Sequence, residues 1–391
     1  MYATAAHGDT KRWSVRYRDS NKTARRKSFA SKGLADQFAR KTGHDLDRGA
    51  LVDPEAARKT LREVAEEWLK LEAGANRHRL TTAEGARRQL ERHVLAYLGG
   101  RQIGQIKRLD IERWLSDRKD DLAASTLEIV YGRFKAVLTH AVVHDYIPKS
   151  PAMRVPGPDV TRPEIKPLPL PVVQALALSA PPRYRALVWL AAGSGLRLGE
   201  LLGLERSAVD LEAGVVHVRS QLVRLDKGAP FIGEPKTQAS YRSVPLAPAV
   251  VEALRAHLAA FPPVPVELVD RTDTRKPHSR PARLVFANGH GNALNTGNWS
   301  RVWSNTVKRA NTRLTAAGHA PVPVGTSMHS LRHFYASMLI QHRESVKVVQ
   351  RRLGHSKPST TLDVYVHLWD DVPDTTADAV QGVLGALRLA A

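Results

Sequence analysis

The sequence predicts a multidomain α+β protein with a small N-terminal β-sheet and helix module, an all-α domain, and a mainly α domain containing a small antiparallel sheet. Three observations lead to this prediction. The chain has 391 residues, which is enough for about two or three domains. Helical periodicity dominates, and strand-like alternation is confined to two regions. A stretch at 148–171 contains eight of the chain's 24 prolines and separates two of the predicted domains.

The charge of the chain limits the classes of function it can have. The formal net charge is +21 at pH 7, which predicts a polyanionic partner, with nucleic acid favoured over an anionic membrane surface. No apolar run approaches the roughly 18 residues of a membrane span, and the N-terminus has no hydrophobic signal region. The chain has no cysteine, which excludes disulfides, zinc–thiolate sites and a cysteine nucleophile. We therefore expect a cytoplasmic, nucleoid-associated protein.

The N-terminal segment has the pattern of a basic strand pair followed by a helix. Residues 11–32 carry nine Lys and Arg against one acidic residue. Within 13–18, apolar side chains alternate with polar and basic ones, as in a strand with one basic face, and Ser31 is suited to cap a following helix. We predict that residues 1–55 form a DNA-binding module, the alternative being a solvated strand pair. The expected DNA contacts are Arg12, Arg16, Arg18, Arg25, Arg26 and Lys27.

Residues 56–150 are predicted to form the all-α domain. Thr60 and Glu63 have the spacing of a capping box, which starts the first helix. Further helical segments are predicted over 82–98, 108–120 and 124–145. The basic residues expected to contact DNA from this domain are Arg77, Arg79, Arg87 and Arg88. The proline-rich residues 151–171 then form an extended, semi-rigid linker.

The remaining residues, 172–391, combine helical patterns with a short β region. Alternation across 215–246 predicts one small antiparallel sheet, and the polar, proline-rich residues 262–283 resemble a surface insertion. The predicted helices cover 172–180, 183–193, a segment starting near Leu198, 248–260, 296–314, 328–341, 345–353, 359–367 and 375–389.

Two motifs in this region carry cationic side chains in unusual positions. In GSGLRLGELLGL (193–204), Arg197 opens a helix, where a positive charge opposes the helix dipole. Either a bound anion holds it or it pairs with Glu200, one turn later. In EPKTQASYRSVPL (234–246), Lys236 is placed at the tip of a predicted hairpin. There it can reach into a groove or remain a solvated charge.

Two further motifs bring histidines and a tyrosine into the same region. In MHSLRHFYASMLI (328–340), His329 and Arg332 share a helix face, so both can converge on one phosphate. In RRLGHSKPSTTLDVYVH (351–367), Tyr365 follows His355 by ten positions. That stretch by itself leaves open whether Tyr365 is a packed aromatic residue or a nucleophile.

Taken together, these motifs resemble the catalytic set of the tyrosine recombinases, the phage-integrase family. The order and spacing match over about 170 residues. The resemblance implies catalytic residues Arg197, Lys236, His329, Arg332, His355 and Tyr365. The layout is also similar to that of integrases with three parts, which implies that 1–55 binds arm-type DNA, 56–150 is a SAM-like core-binding domain, and 172–391 is the catalytic domain. The segment 262–283 is longer than the family pattern leads us to expect.

The resemblance also implies a reaction. Tyr365 would attack a DNA phosphodiester to give a 3′-phosphotyrosyl intermediate and a free 5′-hydroxyl, with no ATP. The two arginines would clamp the non-bridging oxygens and His355 would add a donor. His329 would position or deprotonate Tyr365, and Lys236 would protonate the leaving oxygen. No metal and no cofactor is needed in this scheme, since the arginines supply the charge.

The expected partner is double-stranded DNA at attachment sites, bound by a tetramer, and the resemblance allows for a directionality factor and a DNA-bending host protein. The basic module at 1–55 favours an integrase of a phage or other mobile element over a housekeeping Xer-type resolvase. Two alternatives share parts of the pattern: a type IB topoisomerase-like enzyme that relaxes DNA, and a non-catalytic DNA-binding protein with the same fold. The second requires the loss of a catalytic residue, and none is lost here.

Overall fold

The structure is a computed structural model, and the secondary structure of most of the chain is defined. The described residues are 3–6, 12–18, 24–47, 55–74, 80–161, 164–225, 228–370 and 376–384. The chain divides into two units, Met1–Arg162 and Pro163–Ala391. Within the described ranges, no helix is both long and apolar enough to cross a membrane.

The N-terminal segment forms the predicted sheet and helix. Strands β1 (Ala3–Ala6), β2 (Arg12–Arg18) and β3 (Ala24–Phe29) are antiparallel in the order β1-β2-β3. They are followed by helix α1 (Lys32–Asp47). The first turn of α1 is capped by Ser31, whose Oγ accepts a hydrogen bond from the Leu34 N–H at 3.4 Å, as predicted.

The strand register separates the basic side chains of this sheet onto two faces. Arg16 lies opposite Arg26, and both are exposed. Val15 is buried and lies opposite Lys27, so Lys27 is on the side covered by α1. There its ammonium lies 4.8 Å from the ring centroid of Phe38, a cation–π contact. Lys27 therefore lies on the α1 side of the sheet and not on the face of Arg16 and Arg26, although its side chain remains exposed.

The all-α part begins where the capping box predicts. The Thr60 N–H donates to Glu63 Oε2 at 2.7 Å, and the Glu63 N–H donates to Thr60 Oγ1 at 3.2 Å. The second helical pattern is interrupted by a π-helical turn at Glu91–Leu95. The helices are α2 (Leu61–Gly74), α3 (Leu80–Leu90), α4 (Ala96–Leu98), α5 (Arg108–Lys119) and α6 (Ala124–Val143).

The start of the proline-rich segment packs against these helices. Tyr131 on α6 is buried, and its hydroxyl donates to the Val155 carbonyl at 3.0 Å. Ala152 and Val155 are themselves buried, so this part is anchored and not a free spacer. At its other end, the predicted linker 151–171 extends too far, because helix α7 already begins at Leu170.

The second unit contains the predicted helices with boundaries shifted by a few residues. The helices are α7 (Leu170–Ser179), α8 (Pro182–Ser194), α9 (Leu198–Leu202), α10 (Pro248–Ala260), α11 (Thr296–Ala316), α12 (Met328–Gln341), α13 (Val346–Leu353), α14 (Pro358–Asp370) and α15 (Thr376–Leu384). Apolar residues of α7, α8, α12 and the strands share one buried cluster, which holds the motif-bearing segments together.

The prediction of a single sheet over 215–246 was wrong, because these strands belong to two sheets. The first sheet consists of β4 (Val209–Asp210), β5 (Val215–Val218) and β8 (Arg242–Pro245), in the order β4-β5-β8. The second consists of β6 (Gln221–Val223), β7 (Phe231–Gly233), β9 (Pro265–Arg271) and β10 (His278–Arg283), in the order β10-β9-β7-β6.

The predicted surface insertion at 262–283 is instead the hairpin β9–β10. Val266, Leu268 and Asp270 alternate into the buried side of β9. Arg280 on β10 donates from Nε to Asp270 at 2.6 Å and from Nη2 to Glu205 at 2.7 Å. The prolines in and beside these strands obscured the alternation, and Glu205, the partner of Arg280, lies 75 residues away in sequence.

Close packing of α9 on β6 provides a test of this arrangement. A Cβ at Gly203 would lie 2.4 Å from the Leu222 backbone nitrogen, so we expect Gly203→Ala to destabilise the second unit by about 1–3 kcal/mol through overpacking. Gly132→Ala is the control. Gly132 is exposed in α6, where a Cβ would meet no atom within 4 Å, and alanine there should add about 0.5–1 kcal/mol. Urea unfolding followed by circular dichroism measures both, and an unchanged Gly203→Ala midpoint would contradict the packing.

Candidate active site

Arg197 is held at the start of α9 by the carboxylate of Glu200. The Arg197 N–H donates to Glu200 Oε2 at 2.9 Å, and its Nη1 donates to Oε1 at 2.8 Å. This is one of the two alternatives that the sequence left open for Arg197, a pair with Glu200 over three residues. The Glu200 side chain has no exposed surface, whereas that of Arg197 keeps 23%. The carboxylate thus offsets the unfavourable position of Arg197 in the helix dipole while its guanidinium still reaches the surface.

A second arginine, Arg242, shares the same carboxylate. Its Nη2 donates to Glu200 Oε2 at 2.8 Å and its Nη1 to Oε1 at 3.2 Å, which is a bidentate pair. Burial by itself raises the pKa of Glu200, but the hydrogen bonds and charge of Arg242 and the charge of Arg197 outweigh it and lower the pKa. Glu200 is therefore ionised. This contact of Arg242 was not predicted from the sequence.

Arg332 lies beside this pair and is almost fully buried, at 2% exposure. Its Nη1 donates to the Gly195 carbonyl at 2.6 Å and its Nη2 to the Leu353 carbonyl at 2.5 Å. Arg197 Nη2 donates to the next carbonyl, that of Gly354, at 3.2 Å. Two guanidinium groups thus bind successive carbonyls at the end of α13. Burial, followed by repulsion from Arg197 and Arg242, lowers the pKa of Arg332 to about 9.

Tyr365 is buried inside the site, and its hydroxyl is bound by a histidine that was not predicted as a site residue. Tyr365 on α14 is 1% exposed, and its hydroxyl lies 2.7 Å from Nδ1 of His333. Burial raises the pKa of Tyr365 to about 12. His329, the predicted partner, instead packs edge-on against His333 with ring centroids 4.6 Å apart. The spacing of four residues within H-S-L-R-H was the available signal, since it places both rings on one helix face.

His355 enters the site from the turn after α13. Gly354 has a φ of 66°, and a Cβ there would lie 2.9 Å from the Ala239 carbonyl oxygen, so glycine is required before His355. His355 Nδ1 lies 2.9 Å from Oγ1 of Thr361, a fully buried residue of α14. Burial, followed by the charges of Arg332 and Arg197, lowers the pKa of His355 to about 3.

His333 has a similarly low proton affinity. Burial, then the neighbouring His329 and Arg332, lower the pKa of His333 to about 4. The pKa of His329 is lowered too, by partial burial and then by the charges of Arg332, Arg197 and Lys236. All three imidazoles are therefore neutral at pH 7, and each can donate one hydrogen bond and accept another.

Lys236 is exposed, but it is not at a hairpin tip. It follows β7, and the next strand, β8, belongs to the other sheet. The turn at 237–240 is anchored, because Ser240 is fully buried. Ser240 Oγ accepts from Arg197 Nη1 at 3.1 Å and lies 3.0 Å from Thr237 Oγ1. The segment after Lys236 is thus fixed to the arginine cluster, which consists of Arg197, Arg242 and Arg332.

A groove opens next to these residues. It has a volume of about 640 Å³ and includes Arg197 and His329 in its wall, together with the rings of Trp299 and Trp303. Trp303 Nε1 donates to the Thr326 carbonyl at 2.9 Å, which orients that wall. The cationic end of the groove is therefore continuous with the arginine cluster.

The other predicted DNA contacts are only partly within the described residues. Arg87 forms an ion pair with Glu66, with the two charged groups 2.9 Å apart, and Arg88 is exposed on α3. The side chains outside the described residues are those of Arg12, Arg18, Arg25, Arg77 and Arg79.

Comparisons with known proteins identify the family of this chain. The model of the "Phage integrase family" matches residues 172–371, and that of the "Phage integrase central domain" matches residues 61–158. A "Tyrosine recombinase XerC-like" protein of Caldanaerobacter subterraneus is 26% identical, with 93% of each chain covered. The "Putative prophage phiRv2 integrase" of Mycobacterium tuberculosis is 26% identical over 77% of this chain and 72% of that protein.

Two solved structures share the fold. The Tn1549 transposon integrase in complex with transposon right end DNA superposes with a TM-score of 0.66 at 22% identity, covering 84% of this chain and 99% of that one. A lambda integrase dimer bound to a COC′ core site gives a TM-score of 0.56 at 16% identity, covering 94% of each chain. Because the family model matches more than half of the chain and includes every motif of the arginine cluster, the chain belongs to the phage integrase family, the tyrosine recombinases.

Proposed function

We propose that Tyr365 is the nucleophile with which this tyrosine recombinase cuts and rejoins DNA strands at specific sites. The observation that supports this most directly is the position of the Tyr365 hydroxyl. It is held by His333 in a buried site where Arg197 and Arg332 bind successive main-chain carbonyls. A buried phenol with no catalytic role needs a hydrogen-bond partner, but it does not need adjacent guanidinium groups.

The arginines and His355 form the phosphate-binding part of this mechanism. Among the described residues, Nε–H and one Nη2–H of Arg197 have no protein partner, so they are available to a non-bridging phosphate oxygen. Arg332 adds a second positive charge from the interior. A Thr361 hydroxyl that donates to His355 Nδ1 leaves the Nε2–H of His355 as a further donor. These groups stabilise the negative charge that develops on the phosphorane-like transition state.

Activation of Tyr365 requires a large change in the electrostatic environment of its hydroxyl group. With a pKa of about 12, ionising the phenol at pH 7 costs about 7 kcal/mol at 1.36 kcal/mol per unit. A hydrogen bond from the phenol to neutral His333 directs the oxygen lone pairs away from the imidazole and towards the incoming phosphorus. The bound phosphate then raises the proton affinity of His333, which accepts the proton as the bond forms. His329 contacts His333 and lines the groove, so its role is to support this ring.

Lys236 is the proposed acid for the leaving 5′ oxygen, because it is exposed while its neighbours are anchored to Arg197 through Ser240. The arginines replace the charge that a metal supplies in other phosphoryl transfers. The product is a 3′-phosphotyrosyl bond that keeps the energy of the phosphodiester, so no ATP is required.

We propose that the remaining parts bind DNA. Residues 1–55 bind arm-type sites, 56–150 bind the core site, and the segment between residue 151 and the start of α7 at Leu170 links them to the catalytic domain. The similarity to a prophage integrase and to a transposon integrase supports an integrase of a mobile element that acts as a tetramer on attachment sites, with a directionality factor and a bending protein as partners. An Xer-type resolvase is the second candidate, because a XerC-like protein is similar over 93% of this chain.

The nucleophile is tested by removing one hydroxyl. Tyr365→Phe should abolish the covalent adduct with a nicked suicide substrate while binding of the same DNA is kept, because no charge is removed. Tyr184→Phe, at another buried tyrosine of this unit, is the matched control and should form the adduct. An adduct that survives in Tyr365→Phe and migrates with the protein on denaturing gels would rule out this assignment.

The acid is tested with a better leaving group. Lys236→Ala and Lys236→Arg should both cleave normal DNA slowly, by about 10²–10⁴-fold, because arginine keeps the charge but does not release a proton. A 5′-bridging phosphorothiolate leaves without protonation and should restore cleavage by both variants. If it restores neither, while the unmodified protein cleaves it well, Lys236 is not the acid that protonates the leaving oxygen.

The arm-binding proposal is tested on the basic face of the N-terminal sheet. Arg16→Ala combined with Arg26→Ala should weaken binding to arm-type DNA and reduce the salt slope of log K by about two, one unit for each phosphate that is no longer neutralised. Binding to a core site should not change. Lys27→Ala is the control, because Lys27 lies against Phe38 on the other face. Equal effects of both changes on arm-type DNA would contradict a basic binding face.

A further inference from the structure

Arg242 is buried beneath the phosphate-binding cluster and cannot reach DNA itself. Its side chain is only 3% exposed, whereas that of Arg197 is 23% exposed. It nevertheless has partners on several segments. Its Nε donates to the Arg352 carbonyl at 2.7 Å and its Nη1 to the Ser240 carbonyl at 2.9 Å. Together with the bidentate pair to Glu200, one guanidinium joins three separate segments of the chain.

Glu200 has both of its oxygens fully occupied. Oε1 accepts from Nη1 of Arg197 and Nη1 of Arg242, and Oε2 accepts from the Arg197 N–H and from Nη2 of Arg242. Four donors match the roughly four acceptor sites of a carboxylate. Arg242 supplies two of these donors and a full positive charge, so the single negative charge of Glu200 does not have to be balanced by Arg197.

Removal of the Arg242 guanidinium would redirect Arg197. A carboxylate with no exposed surface must be paired, and Arg197 is the other described cation hydrogen-bonded to it. Arg197 would then pair with both oxygens and give up its hydrogen bonds to Ser240 and Gly354. Its charge would be neutralised by Glu200, and its guanidinium group would turn away from the phosphate. The main-chain carbonyls of Ser240 and Arg352 would be left without this donor as well.

Arg242 also borders the turn that carries His355. A Cβ on Gly354 would lie 3.1 Å from Nη1 of Arg242, and the preceding carbonyls of Arg352 and Leu353 are bound by Arg242 and Arg332. The guanidinium therefore defines one wall against which this turn is packed. Arg242 is thus a neighbour of both Arg197 and His355, the two groups proposed to contact the same phosphate. Arg242 itself contacts neither the DNA nor Tyr365 in this proposal.

We propose that Arg242 is a positioning residue of the recombination reaction, which neutralises Glu200 so that the charge and free N–H groups of Arg197 remain available to the scissile phosphate. This inference rests on the proposed function, because it takes Arg197 as a phosphate ligand. It assigns to a buried residue a role in transition-state stabilisation that acts entirely through Arg197.

The test is a double-mutant comparison on the suicide substrate, with the rate of covalent adduct formation as the readout. Arg242→Met, which keeps the length and removes the charge, should slow the reaction by about 10²-fold, the cost of misplacing a catalytic group. Glu200→Gln removes the carboxylate that captures Arg197. The double variant, Glu200→Gln with Arg242→Met, should therefore be at least about tenfold faster than Arg242→Met, about 1.4 kcal/mol in activation free energy. A double variant as slow as Arg242→Met, or slower, overturns the proposal and leaves Arg242 a structural residue.

A second readout tests whether Arg242 acts through the charge of Arg197 or only through the packing of the site. A substrate with an uncharged methylphosphonate at the scissile position needs less positive charge in the transition state. The penalty of Arg242→Met should shrink at least about tenfold on it, since the charge of Arg197 matters less. Arg242→Lys, which keeps the charge without the fork, should show a smaller penalty than Arg242→Met on normal DNA, and it provides the comparison if the methionine variant fails to fold. Equal penalties on both substrates contradict the inference.

The outcomes also distinguish this inference from the proposed function. If the unmodified protein forms no adduct through Tyr365 on the suicide substrate, the proposed function is wrong and the inference is wrong with it. If the unmodified protein forms the adduct and Arg242→Met forms it at the same rate, only the role of Arg242 is wrong. Thermal unfolding of each variant, with DNA binding measured in parallel, shows that the rates compare folded proteins.

Discussion

The candidate site depends on one buried carboxylate, that of Glu200, shared between two arginines. The side chain of Glu200 is fully buried and both of its oxygens are bound. An isolated charge in this position would be prohibitively costly, and removing one partner of a buried pair typically costs about 3–5 kcal/mol. The cost is avoided only if Arg197, at the start of α9, and Arg242, at the start of β8, occupy defined positions. A single ionic contact thus ties the helical part of the unit to its sheet.

The surrounding cations are ordered by main-chain carbonyls more than by acids. Arg332 binds the carbonyls of Gly195 and Leu353, Arg197 binds that of Gly354, and Arg242 binds that of Arg352. Carbonyl groups orient guanidinium groups without cancelling their charge. Three arginines against one carboxylate leave a net positive charge in a site of low solvent access, where a phosphate is attracted strongly. Folding already places these charged groups, so they would not have to rearrange when a transition state forms.

The histidines and tyrosine are kept in the protonation states of a resting site. Burial and the neighbouring guanidinium groups hold His333 and His355 neutral, and burial keeps Tyr365 protonated. Binding of a phosphate would reverse the local field that produces these states. In the proposed mechanism, the same arginines that keep the histidines neutral would also attract the DNA phosphate, and the phenol would be activated only once that phosphate is bound.

The sequence by itself determined the helices, the fold class and the identity of most candidate site residues. Helical boundaries follow from local capping and periodicity, as at Thr60 and Ser31, and the spacing of motifs such as His329-x-x-Arg332 is a local property of one helix. Tertiary structure alone decided the separation of β7 from β8, the hairpin at 262–283, the pairing of Tyr365 with His333 in place of His329, and the position of Arg242 beneath Arg197. The hydrogen bond between Tyr365 and His333, and those of Arg242 to Glu200 and Arg352, join residues 32 to 110 positions apart. No local periodicity encodes which distant hydrogen-bond donor fills a buried acceptor, because that choice is made by packing of the whole unit.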